Sequence, residues 1–210
     1  MKILELFAGT RSIGKTFEKY GHEVFSVDWD QKFEVSLHKD IEFLQTSDIP
    51  FVPDVIWSSP DCTTYSIAGI SHHRYMDKTP KTSYGEKSDR MNRYVLNLMG
   101  IYKRMNPHML YFIENPRGLL RKMPFMIGIP RYTVTYCQYG DSRMKPTDIF
   151  TNHPDPQFKP PCHNGDSCHE SAPRGSQTGT QKLKKIDRSR IPYQLCEHIV
   201  KISEVYFNDK

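Results

Sequence analysis

The sequence predicts an α/β fold with a mostly parallel sheet covered on both faces. Two observations predict it: short apolar runs alternate with helix-compatible stretches through the first 116 residues, and each run ends in small or polar residues. Lys2 to Phe7 is the first strand, closed by Ala8-Gly9. A helix from about Ser12 to Tyr20 follows, with Gly21 as its C-terminal glycine. His22 to Val27 is a second strand, running into Asp28-Trp29-Asp30, and Val52 to Trp57 a third, running into Ser58-Ser59-Pro60-Asp61-Cys62. Val95, Leu96, Leu98, Met99, Ile101 and Tyr102 give Asn92 to Met105 helical spacing with a broad buried face. The strand Met109 to Ile113 comes next and ends at Glu114-Asn115-Pro116.

Beyond residue 130 the pattern changes. Arg131 to Tyr139 alternates as a strand does, whereas Thr151 to Lys185 is rich in Pro, Gly, Ser and His and has no periodicity from which to build a core. Ile191 to Phe207 returns to helical spacing through Leu195, Ile199, Ile202 and Val205, with Pro192 at its first turn, and is expected to pack back on the sheet. The division expected is a catalytic domain over 1–150, a small irregular recognition or zinc-binding insert over 151–186, and a returning C-terminal helix over 187–210.

At 210 residues the chain suits one domain of roughly 150 residues plus an appendage. Hydrophobic residues make up 37% and charged residues 25%, too much apolar content for a disordered chain. No run of about 18 apolar residues and no signal-like start is present, which sets membrane spanning and export aside. Five cysteines, an odd number in a chain that needs no stapling, point to a reducing, cytoplasmic compartment. The net charge of +5 is compatible with a phosphate-bearing partner without requiring one. Composition leaves the oligomeric state open.

Active-site chemistry is expected at the carboxyl ends of the strands, where open α/β sheets bind ligands. Phe7-Ala8-Gly9-Thr10 is a strand entering a glycine turn at a helix start, where backbone can approach a ligand. Asp28 ends the next strand, 19 residues after Gly9, where an acid would receive ribose hydroxyls and Trp29 could stack on adenine; the alternative is a helix-capping Asp and a core Trp. Cys62 lies in a turn after a buried strand, either an inert buried thiol or a nucleophile that a carboxyl at the next strand end, Glu114, would assist.

Phe7-Ala8-Gly9, Asp28-Trp29, Asp40-Ile41, Asp61-Cys62 with Ser66-Ile67-Ala68-Gly69, and Glu114-Asn115 occur in the order and roughly the spacing of the DNA (cytosine-5) methyltransferases, which the chain resembles over about 1–150 and again near 187–200. The resemblance implies a Rossmann-like class I fold that uses S-adenosylmethionine. It implies cofactor contacts at Phe7, Gly9, Thr10, Asp28, Trp29, Asp40 and Ile41, with Ser189 returning to the cofactor near the C-terminus. It makes Cys62 the nucleophile at cytosine C6 and Glu114 the group at N3, and DNA with a flipped-out cytosine the partner; one branch of the family methylates a tRNA cytosine instead. A third possibility is a non-catalytic nucleic-acid or cofactor-binding module.

Three departures stand out. The family's Pro-Cys-Gln becomes Asp61-Cys62-Thr63, with proline one place earlier. Its Gln-x-Arg-x-Arg has Arg143-Met144-Lys145-Pro146-Thr147 as nearest counterpart, making Arg143 and Lys145 the candidates for that role. The sizeable recognition domain that relatives insert after 150 is replaced by about 35 residues. These hold Cys162-His163 and Cys168-His169, candidate ligands of a structural zinc, with Arg174, Lys182, Lys184 and Lys185 close by. The spacing is not that of a standard finger, adjacent Cys and His do not readily converge on one ion, and the alternative is a loop that orders on nucleic acid. Finally, Ser71 to Arg93, with His72, His73, Arg74, Lys78, Lys81, Lys87, Arg90 and Arg93, is either a solvated polar loop or, as the resemblance implies from its place directly after the nucleophile, the mobile loop that closes over substrate with cations to hold phosphates.

Overall fold

The computed structural model describes residues 1–170 and 185–209. Seven strands form one sheet: β1 (Lys2–Leu6), β2 (Glu23–Asp28), β3 (Leu37–His38), β4 (Val55–Ser58), β5 (Leu110–Pro116), β6 (Arg131–Thr135) and β7 (Pro146–Thr151), in the order β3-β2-β1-β4-β5-β7-β6. Strands β1 to β5 are mutually parallel, while β7 runs antiparallel to both β5 and β6. The order reverses between β1 and β4, a switch point that opens a crevice at their carboxyl ends. This is the Rossmann-like α/β fold expected.

Period-two alternation builds the two faces. Leu4, Leu6, Ile56 and Ile113 point into a core with Val95, Leu98, Met99 and Tyr102 of the helix α3 (Ser83–Met105). Ile3, Val55, Trp57, Leu110 and Phe112 point to the other face. There they meet Ile13 and Phe17 of α1 (Ser12–Lys19) and Leu195, Ile199 and Val200 of α5 (Tyr193–Asn208). Burial on both sides explains why the parallel strands read as continuous apolar runs.

The long polar loop expected over 71–93 is instead ordered. A short helix α2 (Ile70–His73) and an Arg74–Pro80 bridge lead to α3, which starts at Ser83 because Thr82 caps it, its hydroxyl accepting from the Gly85 N–H at 3.1 Å. Arg74 is 2% exposed. It donates to the Thr64 carbonyl (2.9 Å), the Lys78 carbonyl (3.2 Å) and Asp89 (2.7 Å), and covers the Tyr65 ring at 4.4 Å. Other cations of the segment are also engaged: Lys87 with Asp40, Arg90 with Glu42, and Arg93 over Phe125.

Residues 152–170 contain no helix or strand, as their composition predicts, and lie against the sheet's β6 edge and α5. His198 Nε2 donates to the Pro156 carbonyl (2.8 Å) and its ring stacks on Phe158, and the Lys159 N–H donates to the Tyr139 hydroxyl at 2.9 Å. A short helix α4 (Lys185–Ser189) precedes α5. Arg174, Lys182, Lys184 and the side chain of Lys185 lie outside the described residues. No helix among the described residues is long and apolar enough to cross a membrane.

Candidate active site

The turn after β1 is built with an unusual backbone. Phe7 (φ 53°), Gly9 (φ 49°) and Arg11 (φ 59°) all take left-handed conformations, a strain of about 1 kcal/mol or more at each non-glycine position, of the kind that clusters at ligand sites. Asp28 holds this turn: it accepts from the Gly9 N–H and the Asp30 N–H, each at 2.9 Å. The carboxylate thus positions the turn and still has lone pairs at the strand end. A Cβ at Gly9 would meet nothing nearer than 4.0 Å, so the floor of the turn is open. Trp29, beside Asp28, is 64% exposed, which rules out the core role open to it from sequence. An acid at the strand end, an uncovered aromatic face and an open glycine turn fit an adenosine-type cofactor.

The remaining residues named for the cofactor fall into different settings. Asp40 caps a single turn by accepting from the Glu42 N–H at 3.1 Å and pairs with Lys87. The side chain of Ile41 is buried in the core, so only its backbone can face a ligand. Thr10 bonds Ser12 at 3.1 Å and, with Ser12, Lys15, Arg190 and Tyr193, lines a groove of about 420 Å³ where the C-terminal segment passes the turn. Ser189 itself is exposed, and its hydroxyl donates to the Ile186 carbonyl at 2.8 Å, closing its own helix. The structure brings the 188–192 segment to the turn without turning Ser189 toward Asp28.

Cys62 follows β4 and Glu114 lies near the carboxyl end of the adjacent β5, and a buried link ties the two segments together: the Asn115 side-chain amide donates to the Pro60 carbonyl at 2.9 Å. The thiol is pushed up to about 11, first by burial and then by the negative charges of Asp61 and Glu114; the Lys145 ammonium pulls the other way. The Asp61 carboxylate is held by the Thr63 N–H (2.7 Å) and hydroxyl (2.5 Å) and by Tyr84, at the start of α3. Glu114 is 6% exposed and accepts from the buried Tyr136 hydroxyl at 3.0 Å. Burial and that carboxylate push the Tyr136 phenol far up, so it remains a donor.

Lys145 joins this group and Arg143 does not. Lys145, at φ 28° just before β7, donates to the Arg188 carbonyl at 2.7 Å and lies 4.4 Å from the Tyr136 ring centroid. Its charge acts on both Glu114 and Cys62, and burial lowers its affinity for the proton. Arg143 is folded back on Asp141 through two contacts, at 2.8 and 2.6 Å. Sequence reasoning missed Tyr136. Its alternating run reads as strand through Tyr139, whereas the strand stops at Thr135 and a single turn, Tyr136–Tyr139, carries the phenol toward Glu114.

The metal-ligand expectation is corrected at one position. Cys137, Cys162, Cys168 and His169 present their ligand atoms within 4.8 Å of one another, and His163 is outside the group. The His163 side chain is 91% exposed and faces Asp166, because the turn that begins there points it to solvent. The adjacent pair Cys168-His169 does converge, with Sγ and Nδ1 3.5 Å apart.

No protein-family model matches the chain. A Frog virus 3 (isolate Goorha) protein named as a probable DNA (cytosine-5)-methyltransferase is 29% identical over 156 residues, covering 72% of this chain and 71% of that one. Among solved structures, the Schizosaccharomyces pombe Dnmt2 methyltransferase matches with a TM-score of 0.51 at 14% identity, covering 72% of this chain and 50% of its own. The Entamoeba histolytica methyltransferase EhMeth matches with a TM-score of 0.48 at 14% identity, covering 72% and 52%. The chain therefore spans about half the length of the solved structures it matches. In its sequence the chain is similar to a viral protein named as a probable DNA (cytosine-5)-methyltransferase, and in its fold to a solved methyltransferase structure.

Proposed function

We propose that the protein methylates C5 of cytosine in DNA, with Cys62 as nucleophile and Glu114 as the group that meets the ring at N3. The observation that carries this reading is the convergence of Cys62, Glu114 and Lys145 at the ends of β4, β5 and β7, with the Asn115–Pro60 link tying the first two segments together. S-adenosylmethionine, when bound along the Gly9–Asp28 turn, supplies an activated methyl group.

Cytosine C5 is too weak a nucleophile to be methylated unaided. The Cys62 sulfur forms a bond to C6, and the ring electrons move toward C5 and N3. Glu114 and the nearby Lys145 charge stabilise the negative charge that develops there. Tyr136 occupies one Glu114 oxygen and leaves the other for the base. After methyl transfer C5 loses its proton, the C5–C6 double bond re-forms and Cys62 departs. A base within a duplex must first be swung out, at about a few kcal/mol.

Transfer of labelled methyl groups to unmethylated duplex DNA, with tRNA in parallel, tests the reading. Label in DNA that is lost in Cys62→Ala supports it. Label confined to tRNA replaces the substrate; label in neither polymer, or label that survives Cys62→Ala, overturns it. DNA containing 5-fluorocytosine should leave a covalent adduct on Cys62, since fluorine blocks the final elimination.

A further inference from the structure

We propose that Cys137, Cys162, Cys168 and His169 bind one structural zinc ion, which fastens the irregular 152–170 segment to the turn after β6. The proposal does not depend on the methyl-transfer reading. It rests on the distances between ligand atoms, the identity of the donors and what the segment lacks.

Three of the separations match a tetrahedron's edges. With Zn–S of about 2.3 Å and Zn–N of about 2.0 Å, tetrahedral angles place two sulfurs about 3.8 Å apart and a sulfur and nitrogen about 3.5 Å apart. The observed values are 3.6 Å for Cys168–Cys137, 3.7 Å for Cys162 Sγ to His169 Nδ1 and 3.5 Å for Cys168 Sγ to His169 Nδ1. Cys137 and Cys162 are closer, at 2.9 Å. That is too long for a disulfide, at about 2.05 Å, and a disulfide there would leave Cys168 and His169 converging on nothing.

Three thiolates and an imidazole are a donor set that favours zinc over harder cations, and four protein ligands leave no open position for chemistry. Neighbouring groups hold the ligands in place. The Cys162 N–H donates to Thr135 Oγ1 at 3.0 Å, and the Gln138 side-chain amide approaches Cys168 Sγ at 3.6 Å, as outer-shell donors to zinc thiolates do.

The segment needs such a fastening. It has no regular secondary structure, and its cysteines meet Cys137, 25 residues upstream of Cys162, on the single turn that also carries Tyr136. A small region that cannot bury enough apolar surface gains its order from a metal instead.

The test is the metal content of protein purified without chelators, with thiols counted by reagent. One equivalent of zinc is expected in the wild type and in His163→Ala, with loss to below a tenth in Cys137→Ser and His169→Ala. Replacement by cobalt should give a thiolate charge-transfer band and intense tetrahedral d–d bands that vanish in Cys137→Ser. If the cysteine variant does not fold, mercurial titration of the wild type still decides, since three thiols should be consumed as one zinc is released. Zinc well below half an equivalent, zinc lost in His163→Ala, or a Cys137–Cys162 disulfide in reduced preparations would each overturn the assignment.

Discussion

The Tyr136 hydroxyl donates to Glu114 Oε1 across 3.0 Å, joining the turn after β6 to the carboxylate at the end of β5. Both groups are buried, so the contact is shielded from water and a hydrogen bond to a charged acceptor there is worth about 1.5–3 kcal/mol. Tyr136 acts through Glu114, as a positioning residue.

Tyr136→Phe is expected to lower kcat for methyl transfer about tenfold or more while leaving KM for DNA within about twofold, because the phenol holds the carboxylate proposed to act at N3 and, on that proposal, does not grip the polymer. Steady-state kinetics with duplex DNA provide the check. A larger effect on KM than on kcat would assign Tyr136 to binding.

A Cys62 thiol pushed up to about 11 carries only about one thiolate in 10⁴ at pH 7. Mass-mapped alkylation of Cys62 in the free protein should therefore be slow at pH 7 and rise about tenfold per pH unit until about pH 11. Asp61→Asn removes a negative charge and should speed alkylation at pH 8. Lys145→Met removes the opposing positive charge, should slow it, and should cut methyl transfer about 10–100-fold. A flat pH profile would mean that the sulfur is not where its neighbours place it.

Glu5 makes stability depend on pH. It is 2% exposed and accepts from the Gly14 N–H at 3.0 Å; burial pushes it up to about 7 from 4.5. A raised carboxyl binds its proton more tightly in the native state, so its favourable contribution is complete below about pH 4.5 and is lost as pH rises through about 7. The span corresponds to about 3 kcal/mol. Glu5→Gln should abolish this slope in urea midpoints measured from pH 4.5 to 8. It should be more stable than wild type at pH 8 by about 1–2 kcal/mol, since removing the buried charge outweighs the cost of an amide at the unpartnered Oε2 position. An unchanged slope would assign the effect to another group.

Arg74→Met should destabilise by about 3–5 kcal/mol, because it strips a buried guanidinium from Asp89 and from the carbonyls of Thr64 and Lys78. Arg74→Lys should recover little, since an ammonium cannot span the same fork of acceptors. Denaturant midpoints measure both, and a loss under 1 kcal/mol for Met would contradict the buried network.

The sheet was legible because burial on both faces leaves a strong apolar signature, and β1, β2, β4 and β5 lie within a few residues of their expected places. Strand β3, two residues long, is too short to mark the sequence, and β7 opens on Pro146-Thr147-Asp148, whose proline and polar residues mask a strand. Cys62, Glu114, Asp28 and Trp29 were found because each ends a strand. Tyr136 and Cys137 were not, since alternation continued past the end of β6 and nothing local marks a turn there. The charges of 71–93 misled for a related reason: composition gives Arg74 a positive charge but does not say that Asp89, 15 residues on, faces it.

The Asn115–Pro60 hydrogen bond also bears on which parts can move. It fastens the loop bearing the sulfur to the strand bearing the carboxylate, so drawing those two apart would strip a buried amide of its acceptor, at a cost of about 1–3 kcal/mol.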